Sequence, residues 1–256
     1  MNDRTRLVGL KVKRAKHHIV DLEGRIDTFF TAEPNPYPII KEHDSETGDL
    51  VYKLGKCSPI PEDFPLIIGD VLQNLRTALD HLVWQLILSN GGTPNTRSGF
   101  PIAKTIKEYE VESPRKVAGM AREAIKMIDE LNPYCGGNED LFGLHLLNNA
   151  DKHRILLVVG AAHIATSVKL PLSLTPKEFR IGLPAPIDRS YPLKDGTELY
   201  RIFKEDISNF PEDPQFRLQI AFGDAEIMNG EPLLPPLHQL ADSVDRIILS
   251  FDKLLM

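Results

Sequence analysis

The chain has 256 residues, 42% hydrophobic and 26% charged, with a formal net charge of −6. That length and balance belong to a folded globular protein with a proper core and exclude disordered and fibrous classes. The negative charge argues against a protein that coats nucleic acid or anionic membrane with its whole surface, although a local basic run, RTRLVGLKVKRAKHH, opens the chain and reads as the solvated face of a helix.

In chain order, Leu7, Leu10, Ile19, Leu22, Ile26 and Phe29 recur at helical spacings from Arg4 to Phe30, and Pro34, Pro36 and Pro38 end the helix. The stretch YPIIKEHDSETGDLVYKL predicts a β-hairpin with a polar tip at SETGD. A second helix runs from Asp63 to Leu88 and stops at Gly91-Gly92. The pattern predicts a third helix from Ser113 to Leu131, a turn at NPYCGGNED, and a fourth helix from Glu139 to Val159. Residues 163–230 alternate apolar and polar in TSVKLPLSL, FRIGL, ELYRIF and RLQIAF, which predicts an antiparallel sheet of three to five strands. A last helix carries Leu237, Leu240, Val244, Ile247, Phe251 and Leu254 on one seam. The expected class is α+β: a four- to five-helix bundle with an N-terminal β-hairpin and an antiparallel β segment inserted before the C-terminal helix. The chain reads as a single domain, residues 1–256, with the bundle at 1–160 and 232–256 and the β segment at 163–230.

Cys57 and Cys135 are too few for a disulfide framework or a zinc cluster, which points to a reducing, cytoplasmic setting. The basic opening lacks the apolar centre of a signal peptide. The longest apolar run, Ile155 to Ala162, is far shorter than the roughly 18 residues of a membrane span. No membrane partner is expected.

The second helix raises the functional question. At about 100° per residue, Ile68, Val71, Leu72, Leu75, Leu79, Leu82, Val83 and Leu86 fall on one face, and Asp70, Asn74, Thr77, His81 and Gln85 line the other. Gln73, Arg76, Asp80 and Trp84 flank that line, and Arg76 and Asp80 can pair across one turn. Short hydrogen-bonding side chains here take the place of the usual Lys and Glu, so this face is expected to meet another element or a second subunit. The fourth helix is apolar nearly all round, yet its middle is HLLNNADKHR, with His145, Asn149 and His153 spaced by four and Asn148 and Lys152 likewise. Polar groups inside an apolar helix form either a satisfied internal network or a cleft. Both readings stay open, with Asn74, Asp80, His145, Asn148, Asn149, Lys152, His153 and Arg154 as candidate binding residues.

The segment RTALDH resembles the R-x4–6-H motif of HEPN domains, helical bundles found in prokaryotic toxins and defence proteins. The resemblance implies metal-independent RNA cleavage across a homodimer interface. Arg76 would stabilise the phosphate, and His81 would move a proton at the 2′-OH or the leaving oxygen. Each side chain suits its role, since imidazole titrates near neutrality and guanidinium binds phosphate bidentately. The pairing of LRTALDHLVWQL with LNNADKHR is also similar to a group of uncharacterised bacterial proteins. A second reading is a non-catalytic module that binds a nucleotide or a partner chain, with Arg76, Lys152 and Arg154 holding a phosphate while the histidines donate hydrogen bonds. A third, similar to DinB-like bundles, places His81, His145 and His153 with Asp70, Asp80 or Asp151 on a metal. His145 and His153, however, lie two turns apart, roughly 12 Å along the axis. No cofactor is expected: the chain has no Walker loop, Rossmann fingerprint, G-x-S-x-G elbow or H-E-x-x-H.

Overall fold

The computed structural model describes residues 2–153, 159–167, 192–210, 212–223 and 231–256. The described elements run α1 (Asp3–Phe30), β1 (Ile39–His43), β2 (Leu50–Leu54), α2 (Asp63–Ser89), α3 (Ile106–Lys116), α4 (Arg122–Glu130), α5 (Glu139–His153), β3 (Val159–Ser167), β4 (Glu198–Ile202), β5 (Gln215–Phe222) and α6 (Leu234–Ser250). Short 3-10 turns follow β4 and α6. The class is α+β, as the patterning predicts. The chain divides into two compact units: Met1–Glu23, Asp63–Leu157 and Leu234–Met256, and Gly24–Glu62 with Val158–Leu233.

The first unit is helical. Val8, Val12, Ala15, Ile19 and Leu22 form the buried stripe of α1: Ile19 and Leu22 are buried as the spacing predicts, whereas Leu7 and Leu10 are exposed and Val8 and Val12 are buried instead. Helices α2, α5 and α6 pack on one another. Leu237, Leu240, Val244 and Ile247 of α6, and Phe251 just after it, are all buried. The chain then tightens into a 3-10 turn, which buries Leu255 in the place expected for Leu254.

Where the pattern predicts one helix from Ser113 to Leu131, the structure has two. Thr105 Oγ1 accepts the Glu108 N–H at 3.2 Å and Glu108 Oε2 accepts the Lys104 N–H at 3.1 Å, a reciprocal cap that starts α3 at Ile106. Ser113 therefore lies late in α3 rather than at its start. Gly119, at φ 92°, then breaks the path before α4. Asn138 caps α5, its Oδ1 accepting the Leu141 N–H at 3.0 Å.

The second unit is built on strands. β1 and β2 form the expected hairpin, from Ile39 opposite Leu54 to His43 opposite Leu50. At its tip Asp44 Oδ1 accepts the N–H groups of Glu46 and Thr47, and Gly48 takes φ 77°. β4 then adds to β2, antiparallel, so the hairpin joins the β segment rather than the bundle. Arg201 on β4 fastens this sheet, reaching Asp44 at 2.8 Å, Asp49 at 3.1 Å and Glu198 at 2.8 Å. Its guanidinium, with the two turn N–H groups, draws the Asp44 carboxyl down to about 2. β3 and β5 pair separately, antiparallel, from Val159 opposite Phe222 to Ser167 opposite Gln215.

Val159 thus opens a strand where the pattern carries the fourth helix. A short continuous apolar run fits a buried strand as well as a helix, and periodicity alone does not separate them. The FRIGL segment and Arg154 lie outside the described residues.

Candidate functional site

The eight apolar residues predicted for the inner face of α2 are all buried. Much of the polar line opposite them is accounted for within the unit. Arg4 Nη1 of α1 donates to Gln85 Oε1 at 2.8 Å, and His18 of α1 lies in the field of Asp70, so α1 runs beside the line in the opposite sense. Asn74 Nδ2 donates to the Asp70 carbonyl at 2.7 Å, and Gln73 Nε2 to Thr77 Oγ1 at 3.3 Å. His81 and Trp84 remain exposed. Asn74 is therefore satisfied by its own helix and stands apart from the groups below.

Arg76 behaves differently from the rest of the face. Its side chain is only 13% exposed. Nη2 donates to Asp80 Oδ1 at 3.0 Å and to the Phe100 carbonyl at 2.7 Å, while Asp80 Oδ1 accepts the Phe100 N–H at 2.8 Å. This ring of three bonds clamps the α2–α3 connection onto α2. The connection continues through the Gly99 N–H to the Lys116 carbonyl and the Ala103 N–H to the Pro133 carbonyl. Arg76 Nη1 is buried without a hydrogen-bond partner among the described residues.

α5 brings the second polar group. A Cβ at Gly69 would stand 2.7 Å from Asp151 Oδ1, so α5 approaches α2 where α2 has no side chain. Two turns back along α5, His145 lies in the field of Arg76, so the two helices run antiparallel. His145 Nε2 is 3.0 Å from Asn149 Nδ2 and serves as acceptor in the neutral ring. Burial first, then the charges of Arg76, Lys116, Lys152 and Lys104, push its pKa down to about 4. The imidazole is neutral at pH 7 and lies in the field of cations from α2, α3, α5 and the segment before α3. Asn148, 2% exposed, has an Oδ1 without a hydrogen-bond partner among the described residues. Lys152 and His153 are exposed at the end of α5.

Of the predicted residues, Arg76, Asp80, His145 and Asn149 therefore belong to one neighbourhood, with Asn148 and Lys152 on the same helix. His81 does not join them. It stands five residues from Arg76, about 140° around the helix axis, on the exposed side. Among the described residues no three His, Cys, Asp or Glu side chains come together as a metal site. Compared with protein-family models, curated proteins and solved structures, the chain matches none. Sequence reading missed Lys104, Lys116 and the Phe100 backbone. Lys104 and Phe100 lie in a connection with no periodicity, where the local signal is the Thr105 cap beside Lys104, and Lys116 ends α3, where its spacing does not show what it faces.

Proposed function

We propose that the protein binds a phosphate-bearing ligand, RNA or a nucleotide, at the cationic neighbourhood of His145. The reading is supported by the positive field at half-buried His145, to which Arg76, Lys116, Lys152 and Lys104 contribute, Arg76 being paired with Asp80 and Lys116 with Glu112. Like charges gathered around a group that itself resists protonation favour an anion, and lysine and arginine are the usual donors to phosphate oxygens. Arg76 is fixed by Asp80 and Phe100, while Lys104 and Lys152 are exposed. The free thiols of Cys57 and Cys135 suit a reducing cytoplasm, and no described helix is long and apolar enough to cross a membrane.

A HEPN-like ribonuclease is the second reading, favoured by one observation: His81 is exposed beside Trp84, which is 42% exposed, and Leu88, on the outer side of α2. In one subunit Arg76 and His81 face different directions, so cleavage would draw on two copies meeting through that side. Incubation with structured RNA in EDTA separates the readings. Binding without cleavage, unchanged in His81→Ala, supports the first. Cleavage that His81→Ala abolishes in a homodimer replaces it with the second.

A further inference from the structure

A cleft of about 550 Å³, which His145 does not line, opens between α3, α4 and the turn at Tyr134. Ile106, Val117 and Ile125 supply apolar walls, and the rings of Tyr109 and Tyr134 line the same space. Their centroids are 5.8 Å apart with planes inclined at 55°, a tilted aromatic pair at the border of the cleft. Its charged lining is acidic: among the described residues Glu110 and Asp129 border the cleft, and no lysine or arginine does.

The rings are held. Tyr109, buried, donates its hydroxyl to Asp129 Oδ1 at 2.7 Å, and Tyr134 donates to Asn132 Oδ1 at 2.9 Å. Asn132 takes φ 48°, and a Cβ at Gly137 would fall 3.1 Å from Tyr134 Cε2, so the turn is shaped to seat that ring. Burial and the neighbouring carboxylate keep the Tyr109 hydroxyl protonated throughout the physiological range, so it remains a donor to Asp129.

We propose that this cleft binds a small organic ammonium ion: the apolar walls and tyrosine rings take its alkyl groups, and Asp129 and Glu110 balance its charge. A neutral apolar ligand would use the walls but draw nothing from the carboxylates, and an anion would be repelled by them. The cleft is lined by none of the residues assigned to phosphate binding, and the proposal does not rest on that reading.

The test is a ligand-observed NMR titration of the full chain with choline and with its uncharged carbon isostere, 3,3-dimethylbutan-1-ol. Choline is expected to bind about tenfold more tightly than the alcohol, the range of a partly desolvated cation–π contact. Tyr134→Ala is expected to weaken choline about tenfold while Tyr134→Phe stays within about twofold, and Asp129→Asn lowers choline affinity but leaves the alcohol unchanged. No binding of choline, equal binding of the alcohol, or choline binding that survives Tyr134→Ala overturns the proposal. The comparison of the two probes on the unaltered protein holds even if a variant fails to fold.

Discussion

Gly69 on α2 and Asp151 on α5 meet so closely that a methyl group at position 69 would lie 2.7 Å from Asp151 Oδ1. Helix propensity favours alanine there by about 1 kcal/mol, but overpacking costs about 1–3 kcal/mol. Gly69→Ala is therefore expected to lower the urea midpoint. Because the clash is with one side chain, Asp151→Ala in the same chain should recover much of the loss. A double-mutant cycle in urea measures that coupling, and strictly additive losses would show that the two helices do not meet at this point.

The clamp built on Arg76 and Asp80 predicts a second stability effect. Asp80→Ala leaves the Phe100 N–H without its acceptor and Arg76 with a single bond, to the Phe100 carbonyl. The expected cost is about 1–3 kcal/mol, the range for stranding a buried donor. Hydrogen exchange at the Phe100 amide should accelerate in the variant. An unchanged amide would mean that the connection is held by packing alone.

His145 predicts a pH dependence whose direction follows from its depressed pKa. Above its ordinary value of 6.5 the ring is neutral both folded and unfolded and contributes no slope. Between 6.5 and about 4 the unfolded chain takes the proton first, so stability is lost as the pH is lowered through that window and levels off below it. His145→Gln removes this component. Urea midpoints at several pH values should therefore fall less steeply in the variant than in the parent, and parallel curves would contradict the assignment. Anion binding should oppose the shift, since a phosphate beside the ring favours the imidazolium.

His81 serves as the control for catalysis. Exposed, and remote from Arg76 around the helix, it is expected to leave RNA affinity unchanged when replaced by alanine. Filter binding of the variant checks this. A marked loss of affinity would move the site to the outer side of α2.

Much of the fold is legible in the sequence because its strongest signals are periodic. The α2 stripe from Ile68 to Leu86, the hairpin around Gly48 and the final seam from Leu237 to Phe251 each repeat a single spacing often enough to fix an element. The errors fall where a local rule competes with a distant contact. Ser113-Pro114 reads as a helix start, yet the Thr105–Glu108 cap begins the helix earlier. The apolar run at Val159 reads as helix until β5 supplies its pairing partner. The candidate site shows the same division. Arg76, Asp80 and His145 are visible as polar groups on apolar helices, but spacing along one helix does not reveal that Arg76 turns to the Phe100 backbone while His81 turns outward. Lys104 and Lys116 become part of the neighbourhood only through tertiary structure.

The most direct measurement is the affinity of fluorescein-labelled single-stranded RNA as a function of salt, for the parent and two triple variants. One removes Lys104, Lys116 and Lys152; the other removes Arg6, Lys13 and Arg14 from the exposed face of α1. If RNA occupies the His145 neighbourhood, the first variant binds weakly and its log–log salt slope shrinks by about 0.7 for each phosphate no longer neutralised, while the second retains the parent's behaviour. RNA that does not bind the parent, or that binds the first variant as tightly as the parent, would contradict the account.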